Sequence, residues 1–191
     1  MLRTFGAAAV AATVVFIWGF VYWAVLPTGM AAVQGAPDGP ALQAYLDQAL
    51  PESGTYVVPF TENPTEDTAY HQAHSKGPLA LVQFRKNGAE PMSTGTMLRG
   101  WLVGFASCLL MALVVRLAAG DGGFGRRFIA AFGGGAVGSV MARMGDPVWW
   151  YQPIPFARSL LFYEIVAWLL AGIVLGLMLR SAQPRISHTQ L

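Results

Sequence analysis

The chain has 191 residues, of which 54% are hydrophobic and only 12% are charged. A soluble globular domain has roughly 25% charged residues, so this composition indicates a membrane protein. The small net charge of +2 and the scattered Lys and Arg residues exclude a nucleic-acid-binding surface. The single cysteine, Cys108, excludes a disulfide framework and a cysteine-based metal site.

The first predicted transmembrane helix is Phe5 to Leu26, a run without charge that is long enough to cross a hydrocarbon core of about 30 Å. The alternative is a cleaved signal peptide, whose apolar region is only about 7–15 residues long. Trp18, Tyr22 and Trp23 favour a retained span, because aromatic residues concentrate at membrane interfaces. We therefore assign residues 1–27 to this helix.

Residues 28–96 form the predicted insert, which opens with a Gly- and Pro-rich linker. Hydrophobic periodicity and turn residues predict the order helix, strand, helix, strand. These elements are expected at Ala41 to Leu50, Thr55 to Phe60, Glu66 to Ser75 and Leu79 to Lys86. About 60 residues with two strands bury little apolar surface, so we expect the insert to lean on the membrane helices or on a partner.

His71 and His74 in the insert are three residues apart, which places both imidazoles on one face of a helix. Together with a carboxylate they would make a zinc or copper site. Three carboxylates are near in sequence: Glu62, Glu66 and Asp67. The interpretation that we favour is two solvent-facing histidines on a polar helix, so no metal is assigned. His188 lies in the C-terminal tail, on the opposite side of the predicted membrane.

Residues 97–191 contain three further predicted spans and a cytoplasmic tail. Met97 to Val115 and Ser159 to Leu179 are long apolar runs that end at arginines. Phe128 to Ala142 is short and rich in glycine, and it needs neighbouring residues to reach the length of a span. The predicted fold is therefore an all-α membrane protein of four transmembrane helices, with a small α/β extracytoplasmic insert between the first two.

The density of charge predicts the orientation, because short cytoplasmic flanks are rich in Lys and Arg. The insert holds seven acidic and three basic residues, a net charge of −4. The opposite flanks hold six arginines and Asp121, a net charge of +5. These arginines are Arg3, Arg116, Arg126, Arg127, Arg180 and Arg185. We therefore expect the insert outside and both termini in the cytoplasm, which requires an even number of spans.

One acidic residue, Glu164, lies inside the fourth span, where an unpaired charge costs at least about 2.5 kcal/mol. The predicted topology places Arg99, Arg143 and Arg158 at the same end of the bundle. We predict an intramembrane ion pair, with Arg143 the first choice because it ends the neighbouring helix of a short hairpin. The alternative is a proton relay, which needs further polar groups deeper in the membrane.

Two Gly-x-x-x-Gly steps, Gly134 with Gly138 and Gly172 with Gly176, predict close helix packing. The third and fourth spans pack together in the first interpretation, and in the second these glycines dock another membrane subunit. The run Trp149, Trp150 and Tyr151 is denser than an interfacial belt requires. It is the candidate contact for a quinone, a carotenoid or another lipophile.

No phosphate-binding Gly-rich loop, nucleophile elbow or zinc-protease signature is present, so the chain is predicted not to be an enzyme. No histidine lies in a predicted span, which excludes a bis-histidine haem held between the transmembrane helices. No cofactor is therefore assigned.

Several short segments carry a family resemblance: Trp18-Gly19 to Trp23 with Leu26-Pro27, Gly77-Pro78-Leu79, Glu90-Pro91-Met92 and the closing helix from Leu169 to Leu179. With them the chain resembles a group of small uncharacterised bacterial inner-membrane proteins that have four spans and a short periplasmic insert. The resemblance covers most of the chain. It implies the architecture and a bacterial inner membrane, and it implies no activity and no catalytic residues.

We therefore expect an accessory or structural subunit of a larger membrane complex, respiratory or photosynthetic, that acts through helix packing and its periplasmic insert. The alternative is a small transporter or a protein that binds a lipid, a quinone or a carotenoid. The expected partners are membrane lipids and other membrane subunits, and nucleic acid is not among them.

Overall fold

The computed structural model describes residues 1–179 of the chain. Within this range four helices are long and apolar enough to span a membrane, as expected of a multi-pass membrane protein. They are α1 (Leu2–Phe20, continued by a π-helical turn at Val21–Val25), α5 (Thr94–Ala119), α6 (Phe124–Trp149) and α7 (Ile154–Met178). The predictions that rest on Arg180, Arg185 and His188 lie outside the described residues.

The four predicted spans are present, and each helix is longer than its apolar run. The largest difference is in α6, where the glycine-rich segment is helical over 26 residues and includes Pro147 in its last turn. Helix α7 begins at Ile154 rather than at Ser159, because Pro155 fits the first turn of a helix, whose N–H groups have no intrahelical partner. Glu164 therefore lies about 15 Å along α7.

The four long helices form a ring in which α1 packs between α5 and α7, and α6 packs between α7 and α5. We call the end that carries residues 28–93 the insert end and the opposite one the far end. The hydrophobic core lies toward the far end and consists mainly of small side chains. Ala8 on α1, Val115 on α5, Ala131 on α6 and Leu175 on α7 are all fully buried.

Two arginines tie neighbouring helices together at the far end. Arg116 donates to the Thr4 hydroxyl at 2.7 Å and so joins α5 to α1. Arg127 is buried, and its Nε donates at 3.0 Å to the carbonyl of Gly176 near the end of α7. The last carbonyls of a helix have no intrahelical partner, so Arg127 caps α7 from α6. Arg127 thus has a structural role that the charge count alone did not indicate.

The insert has the predicted order of helix, strand, helix and strand: α3 (Gly39–Ala49), β1 (Gly54–Val58), α4 (Thr68–Lys76) and β2 (Ala80–Phe84). A short helix, α2 (Pro27–Met30), precedes α3 at the start of the insert. The strands pair antiparallel, with Gly54 opposite Phe84 and Val58 opposite Ala80. Strand β1 ends at Val58 rather than at Phe60, because Pro59 cannot donate to the ladder.

Side-chain contacts fix the helices of the insert. Asp38 and Asp67 accept hydrogen bonds from the backbone of the first turns of α3 and α4, as N-cap residues do. The hydrogen bond from the Tyr70 backbone N–H, followed by one from the Thr61 side chain, lowers the pKa of the exposed Asp67 carboxyl. Lys86 joins the end of β2 to α3 through an ion pair with Asp47 at 2.9 Å.

Candidate functional site

At the insert end the four long helices diverge around a cavity of about 840 Å³. Its wall is mostly apolar, and it extends about 20 Å along α5, from Met97 to Met111. Aromatic side chains from three helices contribute to this wall: Phe16, Phe20, Trp23, Trp101, Tyr163 and Trp168. The cavity is thus a large apolar compartment between the helices.

Glycines create the space in this cavity. A Cβ atom added at Gly104 on α5 or at Gly138 on α6 would meet no atom within 4 Å. One added at Gly100 would only touch the ring of Phe16, at 4.0 Å. Because these glycines of the wall have no side chain and almost no neighbour, α5 and α6 border empty space here rather than a packed interface.

The cavity is only partly enclosed, because several of its wall residues are exposed. Val103 belongs to its wall and is nevertheless 68% exposed. Ser107 on α5 and Gly134 and Gly138 on α6 also line it and are exposed. Phe20 on α1 is exposed as well, so exposed wall residues lie on three of the four helices.

An ion pair between α6 and α7 borders the cavity. Arg143 donates from Nε to Glu164 Oε1 at 2.7 Å, and its Nη2 donates to the same oxygen. Arg99 bonds instead to the Gly95 carbonyl of its own helix, and among residues 1–179 Arg158 makes no ion pair with Glu164. The structure therefore brings together two of the four charged residues that the sequence grouped, and Arg99 and Arg158 lie elsewhere.

Only one oxygen of the Glu164 carboxylate is used in this pair. Glu164 lines the cavity, whereas Arg143 lies behind it and outside the wall. The second oxygen, Oε2, accepts no hydrogen bond from residues 1–179, and these residues do not enclose it completely. The cavity therefore presents a carboxylate oxygen with free acceptor capacity in otherwise apolar surroundings.

Several other polar groups of the wall are already satisfied. Ser107 and Ser139 donate to the carbonyls of Val103 and Gly135 on their own helices. The indole of Trp101 donates to the Thr13 hydroxyl at 3.1 Å. By contrast, the hydroxyl of Tyr163 makes no hydrogen bond within residues 1–179, so it remains a free donor in the cavity wall.

The chain was compared with protein-family models, with curated proteins and with solved structures. None of them matches it. The resemblance to small bacterial inner-membrane proteins therefore stays a prediction. What the cavity can bind follows from its own side chains.

Aromatic residues of α1 and α7 hold one wall of the cavity in place. The Trp18 indole donates to the Tyr163 carbonyl at 3.0 Å, and the Tyr22 hydroxyl bonds to Ser159. Tyr22 is only 2% exposed, so it packs between helices rather than at a membrane surface, in contrast to the interfacial belt that we predicted. The π-helical turn at Val21–Val25 places Trp23 in the wall.

The candidate lipophile contact at Trp149, Trp150 and Tyr151 lies away from this cavity. These residues line a separate recess of about 140 Å³ together with side chains of the insert. The rings of Tyr151 and His74 lie 5.5 Å apart. The aromatic run therefore meets the insert at the end of α6, which accounts for its density better than a ligand pocket does.

His71 and His74 both lie on α4, and each ring packs against Tyr70, with centroids 5.8 and 5.5 Å away. Among residues 1–179, no group of three or more His, Cys, Asp or Glu side chains is arranged to hold a metal ion. In this structure His74 contributes to the contact between the insert and the bundle.

The four predicted packing glycines have different environments. Gly172 and Gly176 on α7 receive the stacked phenylalanines of α6, and an added Cβ would lie 3.3 Å from Phe128 and 2.9 Å from Phe124. Gly134 faces Met111 of α5 at 3.3 Å. Gly138 faces open space and contacts no helix among residues 1–179 through an added Cβ, so its predicted packing role stays a prediction. The spacing of glycines in the sequence does not reveal whether a bulky side chain of a neighbouring helix lies against them.

Gly135 is a packing glycine that the sequence analysis did not single out. Any side chain at this position would overlap the indole of Trp168, so Gly135 lets that ring lie against α6 and form the floor of the cavity. Gly133 and Gly134 belong to the same run of three glycines, so the sequence does not show which of the three packs against a bulky side chain. The orientation of α6 decides that Gly135 does.

Proposed function

We propose that this protein binds a lipid-soluble small molecule between its four membrane helices. The observation that carries the proposal is the partly open cavity of about 840 Å³ between the four long helices. Ligand sites in proteins commonly measure about 300–1,000 Å³, with mostly apolar walls and a few polar groups that orient the ligand. The cavity has such walls, and Glu164 and Tyr163 are polar groups of this kind.

The geometry supports this proposal better than the accessory-subunit prediction. That prediction rests on the small insert, on the lack of catalytic motifs and on the glycine steps, which either pack the third and fourth spans together or dock a partner. In the structure Gly172 and Gly176 contact α6, and Gly138 lines the cavity. A transporter would need a path to both sides, and within residues 1–179 the far end is filled by the core around Val115 and Leu175. Association with other membrane subunits and the absence of enzymatic activity stay predictions.

Purification in mild detergent, transfer to nanodiscs and analysis of the extracted lipophiles by mass spectrometry test the proposal. The cavity-blocking variant combines Gly104→Phe with Gly138→Phe. The control variant combines Gly6→Phe with Gly133→Phe, because these glycines also face open space but lie outside the cavity wall. Both variants add the same side chains to helices at positions without neighbours.

We expect one lipophile to co-purify at about one molecule per chain with the natural protein and with the control. With the blocking variant it should fall about tenfold or more, because two benzyl groups occupy the site. If all three proteins carry the same lipids in the proportions of the bulk membrane, the proposal is wrong.

We also propose that the insert is periplasmic and that both termini are cytoplasmic in a bacterial inner membrane. The net charges of −4 and +5 on the two sides support this orientation. Reporter fusions at Asp67 and after Leu191 test it. A cytoplasmic signal from the fusion at Asp67 would contradict the orientation and leave the cavity proposal unaffected.

A further inference from the structure

The charge of the cavity wall restricts what can enter it. Within the part of the wall formed by residues 1–179, Glu164 is the only charged side chain. Arg143 compensates its charge from behind, at 2.7 Å. The pair as a whole is therefore neutral, although the cavity sees only its carboxylate side.

A charged ligand would disturb this balance. An added cation or anion would leave one uncompensated charge in apolar surroundings, and such a charge is strongly unfavourable there. The compensated pair therefore favours a neutral ligand, although a carboxylate that faced the cavity alone would attract cations.

The free acceptor of Glu164 favours a ligand that donates a hydrogen bond. A hydroxyl that donates to a carboxylate makes a charge-assisted bond, which is stronger than a bond between neutral groups. Tyr163, which follows Phe162 on α7 and precedes Glu164, supplies an unused O–H donor to the same cavity. The Tyr163 ring packs against Trp18 and Trp23 on the α1 side, whereas Glu164 binds Arg143 on α6, so the phenol is a separate donor in the cavity wall.

We propose that the cavity takes a neutral lipophile with a hydroxyl group, which donates a hydrogen bond to the Glu164 carboxylate. This inference rests on the proposed function and names the ligand class of the same site. The class comprises lipid-soluble alcohols and phenols, including isoprenoid alcohols and reduced quinones. Glu164 positions the head group, and the aromatic wall contacts the apolar remainder.

The test compares four probes with the natural protein in nanodiscs. Farnesol carries the hydroxyl, farnesyl methyl ether lacks its donor, tetraphenylphosphonium is an apolar cation, and oleate is an apolar anion. The dissociation constants are obtained from the dependence of the unfolding temperature on ligand concentration. We expect farnesol to bind about tenfold or more tightly than its methyl ether, and more tightly than either ion.

Two variants test this preference. The pair Glu164→Met and Arg143→Met removes both charges together, which avoids an unpaired charge, and should abolish the preference for farnesol over the ether. Tyr163→Phe keeps the ring and the ion pair, so it should fold. It should leave the ratio of the two dissociation constants unchanged, because the oxygens of farnesol and of its ether accept equally from the phenol.

The outcomes separate the two proposals. Equal binding of farnesol and its ether, or tighter binding of either ion, would overturn the hydroxyl inference while the cavity remains a lipophile site. If none of the four probes binds, the hydroxyl inference is wrong, and the analysis of co-purifying lipophiles decides the proposed function separately.

Discussion

The two ends of the helix bundle use the same small residues and reach opposite results. At the far end Ala8, Ala131 and Leu175 are fully buried, and the helices touch. At the insert end Gly104 and Gly138 have no neighbour within 4 Å of an added Cβ, and the helices enclose a cavity. A small residue thus brings helices together only where a bulky side chain fills the opposite position.

The contrast is clearest between two glycines of the predicted packing steps. Gly176 lies against Phe124, whose ring stacks on Phe128 and continues to Phe132. Gly138 lies on α6 in the wall of the cavity, where an added Cβ would meet no atom within 4 Å. The far end is therefore closely packed, whereas the insert end encloses a cavity.

The largest effect should come from filling the packed end. Gly176→Leu places a side chain where a Cβ already approaches Phe124 at 2.9 Å. We expect it to lower the free energy of unfolding by about 3 kcal/mol, the upper range for overpacked cores. Gly138→Leu should change this free energy by less than about 0.5 kcal/mol, because it meets no neighbour. Unfolding in detergent measures the free energy of unfolding of both variants. If Gly176→Leu and Gly138→Leu lower it equally, the two ends of the bundle do not differ in packing.

The next effect tests what holds the insert end together in the absence of close packing. Glu164→Gln leaves Arg143 without its partner and should cost about 2 kcal/mol, less than a fully buried pair because both side chains are partly exposed. Adding Arg143→Gln should recover part of the loss in a double-mutant cycle. Arg99→Gln is the control and should combine additively with Glu164→Gln. If the effects of Glu164→Gln and Arg143→Gln on the free energy of unfolding are also strictly additive, the ion pair does not contribute to stability.

A smaller effect should come from the arginine cap at the far end. Arg127→Met keeps the aliphatic part of the side chain but removes the hydrogen bonds to the Gly176 and Gly122 carbonyls, and should cost about 1 kcal/mol or more. Arg126→Met is the matched control, because Arg126 is exposed and precedes the buried residue. Unfolding of the two variants under the same conditions checks this. A larger loss for Arg126→Met would show that total charge, rather than the cap, matters at this end.

The sequence predicts the elements of this fold well. The apolar runs are long enough to reveal the four helices, and the periodicity of the insert reveals two helices and two strands. The bounds differ mainly where proline acts, at Pro59 after β1 and at Pro155 in the first turn of α7. These two differences follow from local backbone chemistry that an apolar run does not express.

The candidate site was less accessible from sequence. Glu164 and Arg143 could be paired because an intramembrane acid needs a partner and a short hairpin supplies one. The cavity could not be predicted, because it depends on how α5 and α6 are rotated about their axes. The same rotation decides that Gly135 contacts Trp168 while Gly138 faces open space. The contact of the aromatic run at Trp149 with the insert could not be predicted either, because the two segments are distant in sequence.

The central claim is that apolar molecules occupy the interior of the insert end, and photolabelling tests it most directly. An apolar diazirine without a head group is activated in nanodiscs that contain the natural protein, and mass spectrometry maps the labelled residues. We predict labels at Ala167 and Trp168 on the cavity face of α7, and their loss when Gly104→Phe and Gly138→Phe block the cavity. Labels confined to exposed positions such as Ile173 and Leu177, unchanged by the blocking variant, would contradict the account.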